Sequence, residues 1–423
     1  MRGVSSAFTK MTFASYWRIL RGNRNFRLLW TAQIVSELGD WFYSVAIFSF
    51  LLELTGSAQM VALAFLMQVL PQTFIAPTAG LINDRISRRK VMIAADWARA
   101  VIVLCMMFVR TRGMLPLLYV LLFLETVCWA MFEPAHSAVI PNIAKEDDIP
   151  AANALSSATW SVNFALGAAL GGLVLVSFGR HTVFIADSLS FVVSALLIRA
   201  MKFAEPHAEN LPPLKFRDLI YFTPIAEGLR YVRRDPKLFS AMFVKAGIGL
   251  AGSNWVILPV LGERVFRVRE SGELGMSILL ASRGVGAILG SFLGGNFAAV
   301  NRARLRWTIL AGFLMIGAGY VALGAAGSMW MAVFSLVLAH AGGSACWTAS
   351  ATFLQMQTED RFRGRVFSAE FALSMLAMSI SSYSAGRAVD AGVGVQTVAA
   401  ATGAIMILPI ALWLIAGRAW SGD

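Results

Sequence analysis

Acidic side chains occur inside long apolar segments of this chain, where a charge is costly. Glu37 and Asp40 are three residues apart and so lie on one face of a helix, and Glu125 lies near the middle of another apolar segment. A charged side chain at the centre of a bilayer costs at least about 2.5 kcal/mol unless it faces a partner or water. A carboxyl group in such a place can bind a proton from one side and release it to the other. We therefore predict that Asp40, Glu37 and Glu125 are proton-coupling residues.

Basic and aromatic side chains accompany these acids. Lys245 and Arg283 lie inside apolar segments of the second half, where they would be counter-charges for the acids or contacts for a substrate. Trp41 directly follows one of the acids, and Trp129 lies one helical turn after another. Such rings favour an apolar cavity for a flat aromatic ligand, with a few polar groups that fix its orientation. The predicted substrate-cavity residues are therefore Arg283, Lys245, Trp41 and Trp129.

The same residues also have a purely structural interpretation. Acids and bases in membrane segments can pair between helices, and membrane tryptophans often face lipid or the membrane surface. Asp96 and Arg99 are three residues apart, a spacing that allows a self-contained ion pair, and for these two we favour the structural interpretation. Glu370 lies near the start of a late apolar segment, where a negative charge suits the helix dipole.

Composition places the chain in the membrane. Of its 423 residues 57% are hydrophobic and 14% are charged, whereas soluble proteins carry about 25% charged residues. The net charge of +12 does not indicate nucleic-acid binding, because most lysines and arginines lie in loops beside apolar segments. No lysine follows a glycine, so there is no phosphate-binding loop, and no catalytic motif is present. Neither enzymatic activity nor a metal site is expected, since the cysteines and histidines show no metal-ligand spacing.

The apolar segments predict an all-α membrane protein of twelve transmembrane helices in two pseudo-symmetric six-helix bundles. An amino-terminal bundle is expected over residues 1–200, a cytoplasmic central linker over 201–237 and a carboxy-terminal bundle over 238–423. Basic residues are concentrated in alternate loops, which places both termini in the cytoplasm. The expected spans are residues 28–52, 59–82, 91–109, 114–139, 153–178, 182–200, 238–262, 273–300, 307–326, 329–353, 366–389 and 394–417.

The loop at residues 80–90, with the sequence GLINDRISRRK, collects one acid and four bases between two apolar segments. It resembles the signature between helices 2 and 3 of the major facilitator superfamily at Gly80, Asp84, Arg85, Arg88 and Arg89. The resemblance implies that Asp84 meets the amino-terminal end of helix 11 and that Arg88 pairs with Glu133 at the cytoplasmic end of helix 4. These contacts would form a cytoplasmic gate, closed when the protein is open to the outside.

Further motifs extend the resemblance over nearly the whole chain. The segment NFALGAALGG is similar to the antiporter signature of helix 5 and supplies the small helix-packing residues Gly167, Gly171 and Gly172. Five other segments resemble the branch that includes the enterobactin (siderophore) exporter and macrolide efflux proteins: Asn25–Phe42, Phe132–Ile143, Ala152–Ser157, Glu227–Pro236 and Arg361–Ser368.

The resemblance implies a multi-pass exporter of the bacterial inner membrane that exchanges protons for an amphipathic organic molecule, siderophore or drug-like. We expect no cofactor beyond the proton gradient, a small-molecule substrate and the lipid bilayer as partners, and a monomer. Siderophore-type catecholates would favour Arg283 and Lys245, and cationic or macrolide drugs would favour Glu37, Asp40 and Glu125. Macrolide or multidrug efflux, an importer and a non-transporting receptor remain the alternatives.

Overall fold

The computed structural model describes residues 13–145, 148–205, 223–233, 235–298 and 302–418. Within these ranges the regular secondary structure is helical, apart from one bridge between Val268 and Ser271. Many large apolar side chains are exposed on the outside of the helices, for example Phe292, Trp330 and Phe334. An apolar surface of this extent is stable only in apolar surroundings such as a bilayer. The predicted all-α membrane class is confirmed.

Six helices make up the first half of the chain. They are α1 (Phe13–Gly22), α2 (Arg24–Thr55), α3 (Ala58–Arg85), α4 (Arg88–Met106), α5 (Leu115–Ile143) and α6 (Ile149–Arg199). The side chain of Asn23 caps α2 by accepting a hydrogen bond from the backbone N–H of Phe26 at 2.9 Å. Gly56 ends the helix in the left-handed conformation (φ 68°), which glycine adopts without a steric penalty.

Helix α6 is long enough to cross the membrane twice. Its 51 residues would extend over about 75 Å, whereas the hydrocarbon core is about 30 Å thick. The helical backbone is broken at Gly179 (φ 77°, ψ 167°). We refer to the two parts as the first and second arms of α6. The predicted fifth and sixth spans correspond to these arms.

Nine helices form the second half. They are α7 (Thr223–Val232), α8 (Pro236–Gly249), α9 (Asn254–Arg264), α10 (Gly272–Ala298), α11 (Arg302–Gly324), α12 (Met329–Gln357), α13 (Asp360–Asp390), α14 (Val395–Ala404) and α15 (Ile407–Arg418). A 3₁₀ turn at Leu250–Ser253 joins α8 to α9. Helix α7 lies within the predicted linker and packs on α13, where the rings of Tyr231 and Phe362 stack with centroids 4.3 Å apart.

Ten helical segments of the described residues are long and apolar enough to cross a membrane. Helix α6 counts once among them, although it has two arms. Helix α4 is not among them, and it carries Asp96 and Arg99 inside its length. The count of twelve spans, and the division at residues 201–237, therefore stay predictions.

The two halves meet mainly along two pairs of helices, α3 with α13 and α6 with α10, and α9 adds smaller contacts with α2 and α3. Glycines allow these helices to approach closely. A Cβ added at Gly284 of α10 would lie 2.7 Å from the Cα of Ala165 in α6, and one at Gly386 of α13 would lie 2.9 Å from the Cα of Gln59 in α3. We call the end of the molecule that carries the α2–α3 turn the far end, and the end that carries the α3–α4 turn the near end.

Candidate functional site

Arg99 of α4 is the centre of a buried charged cluster in the first half. Its side chain is only 2% exposed. Its Nη2 donates to Oδ1 of Asp40 in α2 at 2.6 Å, and its Nε donates to Oε1 of Glu125 in α5 at 2.8 Å. The guanidinium also lies over the ring of Phe191, with its Cζ 4.0 Å from the ring centroid. Arg99 thus connects its own helix α4 to α2 and α5, and it also contacts an aromatic ring of α6.

This arrangement corrects two of the expectations. Arg99 forms its ion pairs with Asp40 and Glu125 rather than a self-contained pair with Asp96. The counter-charge for these two acids therefore comes from α4 of the same half, and not from Lys245 or Arg283. The physical reason is that α4 presents Arg99 to α2 and α5, whose carboxylates lie directly opposite the guanidinium.

Two more acids lie buried beside this cluster. Asp96 of α4 and Asp187 of the second arm of α6 are both 0% exposed. Within the described residues, neither carboxylate oxygen of Asp96 and only one oxygen of Asp187 has a hydrogen-bond partner. A Cβ added at Gly39 of α2 would lie 2.4 Å from Oδ1 of Asp187, so this acid packs directly against α2. The buried acids therefore outnumber the one base among them.

Glu37 has a different environment. Its Oε1 accepts a hydrogen bond from the side-chain amide of Gln33 at 2.8 Å, and its Oε2 accepts one from the amide of Asn163 at 3.0 Å. Gln33 also donates to the backbone carbonyl of Ser156 in the first arm of α6 at 3.1 Å. Amides, rather than a base, therefore stabilise this carboxyl group, which lies one helical turn from Asp40.

Lys245 belongs to a separate ion pair in the second half. Its Nζ donates to Oε2 of Glu370 at 2.8 Å, and the two residues are 6% and 1% exposed. The ammonium also lies 4.4 Å from the ring centroid of Trp347. Glu370 lies inside α13, which begins at Asp360, so the expectation that it suits the dipole at a helix start is wrong. The charge of Lys245 is compensated locally.

Arg283 lies on aromatic rings at the junction of the halves. Its Cζ is 3.7 Å from the ring centroid of Trp255 in α9 and 4.9 Å from that of Phe164 in α6. Trp255 in turn stacks on Phe65 of α3, with centroids 4.8 Å apart, and lies parallel to Trp41 of α2, with centroids 6.2 Å apart. We call these five residues the aromatic shelf.

The aromatic shelf includes two of the four predicted cavity residues, Arg283 and Trp41. Trp129 is half-buried on α5 and has no ring contact with the shelf within the described residues. Sequence reasoning missed Trp255, Phe65 and Phe164, because nothing in an apolar segment distinguishes a ring that faces the centre from one that faces lipid. Asp187 is visible in the sequence as a charge in an apolar segment, but its place beside Arg99 is not.

The predicted cytoplasmic gate is described only in part. Arg88 donates to the backbone carbonyl of Ala138 in α5 at 2.8 Å, and among the ion pairs of the described residues none joins it to Glu133. Arg89 donates through its backbone N–H to Oε1 of Glu205 at 3.2 Å. Arg85 is half-buried.

Two of the predicted gate positions, Gly80 and Asp84, cannot be placed in the same way. Both belong to α3, but their surroundings lie outside the described part of the structure.

The predicted packing glycines lie on the first arm of α6. A Cβ at Gly167 would be 2.6 Å from the Cβ of Trp41, and one at Gly171 would be 2.8 Å from the Cα of Phe42. A Cβ at Gly172 would lie 1.8 Å from Oγ of Ser277 in α10. The first two glycines therefore admit α2, and the third admits a helix of the other half.

At the far end, an acid of one half caps a helix of the other. Asp390 is the last residue of α13, and its carboxylate accepts hydrogen bonds from the backbone N–H groups of Ala58 at 2.8 Å and Gln59 at 3.1 Å. Arg264 of α9 adds a bond to the backbone carbonyl of Gly56 at 2.6 Å. The negative charge lies at the positive end of the α3 dipole. These contacts join the two halves at the far end.

A helical membrane protein with paired charges inside each half and an aromatic shelf between the halves has the architecture of a major facilitator transporter. The chain belongs to the transmembrane secretion effector family, which matches residues 14–420.

Two proteins of similar sequence are named as a transporter and an efflux protein. Macrolide efflux protein A of Streptococcus pyogenes is 24% identical over 368 residues, which cover 84% of this chain and 87% of that protein. The MFS-type transporter YfiS of Bacillus subtilis (strain 168) is 25% identical over 405 residues, which cover 92% of each chain.

Solved structures share the fold. The nucleoside transporter NupG aligns with a TM-score of 0.72 at 10% identity, over 93% of this chain and 99% of that one. A bacterial homologue of the human lysosomal transporter Spinster, in an inward-facing and unoccupied conformation, aligns with a TM-score of 0.69 at 16% identity, over 96% and 98% of the two chains. The family match over residues 14–420 and the MFS-type relatives identify the chain as a multi-pass membrane transporter of the major facilitator type.

Proposed function

We propose that this protein is a proton-coupled exporter, an antiporter that moves an amphipathic organic molecule, siderophore or drug-like, by alternating access. It acts as a monomer in the bacterial inner membrane, with both termini in the cytoplasm and the proton gradient as its only energy source. The observation that carries the proposal is the link from Arg99 to both Asp40 and Glu125, beside the carboxyl groups of Asp96 and Asp187, which belong to none of the ion pairs of the described residues.

The cluster supports proton coupling through its excess of acids. Four carboxyl groups next to one guanidinium carry more negative charge than a low-dielectric interior tolerates, and bound protons neutralise that excess. The side chain of Asp40 is 23% exposed and that of Glu125 is 8% exposed, so the first proton is assigned to Asp40. Glu37, one turn away on the same helix, is the proposed relay to it.

A proton on Asp40 changes the contact between two helices. The neutral carboxyl group loses its charge attraction to Arg99, which stays bound to Glu125. Helix α2 is then held less strongly against α4 than in the ionised state, and proton occupancy biases the arrangement of the helices around the junction. Inward proton flow thereby drives outward movement of the substrate.

Two experiments in sequence test this proposal. Metabolites secreted by cells that express the parent protein, an Asp40→Asn variant or no protein identify the cargo. The identified compound is then followed in everted membrane vesicles with and without nigericin, which abolishes the pH gradient. We expect accumulation in parent vesicles, loss of it with nigericin and at least a tenfold loss with Asp40→Asn. Accumulation that does not depend on the pH gradient would contradict proton coupling. Outflow of the compound from the everted vesicles would indicate an importer.

Macrolide or multidrug efflux is the more specific alternative, because a relative that covers 84% of this chain is named macrolide efflux protein A. Expression in a drug-sensitive strain, followed by erythromycin susceptibility, tests it directly. A raised inhibitory concentration that disappears with Asp40→Asn favours drug efflux. An unchanged concentration, with a secreted metabolite found as above, favours an endogenous cargo. A receptor without transport would give neither result.

A further inference from the structure

Of the three bases Arg99, Lys245 and Arg283 inside the membrane segments, one forms no ion pair within the described residues. Arg99 is paired with Asp40 and Glu125, and Lys245 is paired with Glu370. Arg283 belongs to none of the ion pairs formed within the described residues, and its guanidinium rests on aromatic rings instead. The charge on the aromatic shelf itself is therefore positive.

Two hydrogen-bond donors on the aromatic shelf have no acceptor. Nη1 of Arg283 and the indole Nε1 of Trp255 are both buried, and neither has a partner within the described residues. The two side chains are in direct contact, since the guanidinium carbon lies 3.7 Å from the Trp255 ring centroid. Buried donors are almost always satisfied in folded proteins, so a pair of unsatisfied donors on touching residues indicates a place for an acceptor.

The aromatic rings around these two donors indicate the shape of a ligand that would carry the acceptor. The ring of Trp255 is nearly parallel to those of Phe65 in α3 and Trp41 in α2, with interplanar angles of 20° and 5°. Phe164 of α6 packs against Trp41 with centroids 4.2 Å apart. Flat rings of this kind favour a planar apolar group by stacking. They come from both halves, so a molecule bound there contacts both moving parts.

We propose that the aromatic shelf binds the anionic end of an aromatic substrate. An organic carboxylate accepts hydrogen bonds from Arg283 and from the indole N–H of Trp255, and its ring stacks on the neighbouring side chains. The inference rests on the proposed export function and narrows its substrate class to aromatic acids. A cationic drug would meet a like charge there, because Arg283 is the one charged side chain among the five residues of the shelf.

Binding of matched probes to the purified protein in lipid nanodiscs tests the inference. The probes are 2-naphthoate and 2-naphthylmethylamine, which share a ring system and carry opposite charges at neutral pH. Isothermal titration gives the dissociation constant of each. We expect naphthoate to bind at least tenfold more tightly than the amine. Equal affinities, tighter binding of the amine or no binding of naphthoate would overturn the proposal.

Three variants locate the site. Arg283→Gln removes the charge and should weaken naphthoate binding at least tenfold, and Trp255→Phe keeps a ring but removes the donor and should weaken it about threefold. Arg267→Gln removes an exposed arginine of a surface pair and should change nothing. Thermal unfolding and gel filtration confirm that each variant is folded. Unchanged naphthoate binding by folded Arg283→Gln would overturn the assignment, as would displacement of naphthoate by equimolar chloride or phosphate, which would show an adventitious anion site only.

The same variants separate this inference from the export function. Gradient-driven transport of the identified cargo that persists in Arg283→Gln would refute the anion site and leave the exporter intact. Binding of naphthoate through Arg283 without any gradient-driven flux would support the site and refute the exporter.

Discussion

Arg99 has a position that few arginines occupy in a membrane protein, since its guanidinium is shared between carboxylates of two other helices. Removal of one partner of a buried ion pair leaves an uncompensated charge, which costs about 3–5 kcal/mol in proteins. Replacement of all the partners by neutral groups of similar shape is often neutral or stabilising. The cluster of Arg99, Asp40 and Glu125 therefore gives different results for single and combined changes.

We expect Arg99→Gln alone to lower the thermal-unfolding midpoint of the purified protein by several degrees, because Asp40 and Glu125 lose their counter-charge. The triple variant Arg99→Met, Asp40→Asn and Glu125→Gln should regain the midpoint but lose gradient-dependent transport. Arg267→Gln serves as the control, since exposed pairs contribute at most about 1 kcal/mol. An Arg99→Gln variant as stable as its parent would show that the ion pairs contribute little.

Gly39 of α2 gives a second prediction at the residue scale, which concerns packing. Its Cα faces Asp187 and Ser190, and a Cβ there would lie 2.4 Å from an oxygen of each. Gly39→Ala should therefore destabilise the protein by about 1–3 kcal/mol through overpacking and disturb proton coupling. The control is Gly343→Ala, where the added Cβ would lie 3.8 Å from the nearest atom, an ordinary van der Waals contact, and where alanine gains up to about 1 kcal/mol of helix propensity over glycine. Equal unfolding midpoints for both variants would contradict the packing that the structure shows.

At the scale of helices, the positive end of the α3 dipole interacts with an acid of the other half of the molecule. Asp390 at the end of α13 accepts from the first backbone N–H groups of α3, so that a contact between halves adds to the cap made by Ser57, whose Oγ accepts from the N–H of Met60 at 3.3 Å. The bond forms only while the far ends of α3 and α13 are together. Such a charge–dipole contact contributes about 0.3–1 kcal/mol when exposed, and up to about 2 kcal/mol when partly buried.

We expect Asp390→Asn to shift the population towards a state that is open at the far end, because the amide keeps the size of the carboxylate and removes its charge. Nitroxide labels on Thr111→Cys and Val393→Cys, two exposed far-end positions in different halves, report the change as a longer distance by pulsed electron paramagnetic resonance. The native cysteines Cys105, Cys128 and Cys346 are replaced beforehand.

Asp235→Asn is the matched control for this measurement. Asp235 caps α8 by accepting from the backbone N–H of Lys237 at 2.8 Å, which is a contact within one half. It should leave the distance unchanged. Equal distance distributions for the parent and Asp390→Asn would show that Asp390 does not hold the far end together.

For the whole molecule, alternating access requires that the contacts between halves form at one end and break at the other. The far end is joined by Asp390 and Arg264, while the middle of the junction is occupied by the aromatic shelf. The predicted Asp84 contact would be the corresponding device at the near end, with an acid of α3 facing the start of α13. Asp84 would then hold the near end closed in one state, and Asp390 would hold the far end closed in the other.

We expect Asp84→Ala to abolish most transport while the protein stays in the membrane at parental abundance, because the state closed at the near end loses its charge–dipole contact. Cargo accumulation in everted vesicles, normalised to protein by immunoblot, is the measurement. Asp148→Ala is a control of the same kind, since Asp148 pairs with Arg18 within the first half. Equal transport by Asp84→Ala and its parent at matched abundance would refute the role of Asp84.

Local properties of the chain are enough to predict the membrane class, the all-helical fold and the candidate residues. Hydrophobic length and loop charge are local properties of the chain, so Glu37, Asp40, Glu125, Lys245 and Arg283 stand out without any knowledge of packing. Family resemblance added the transporter class. Even the close helix packing at Gly167 and Gly171 follows from residue type and spacing.

The pairing of the charges, by contrast, depends on how the helices pack. A charge in a membrane segment needs a partner, but the partner is set by which helix faces pack against each other, and this information is not local. Arg99 is close to Asp96 in sequence, yet it bonds Asp40 and Glu125, because α4 packs on α5 and α6 and its arginine side chain reaches Asp40 of α2 from there. For the same reason Lys245 is compensated by Glu370 and Arg283 is left on the aromatic shelf.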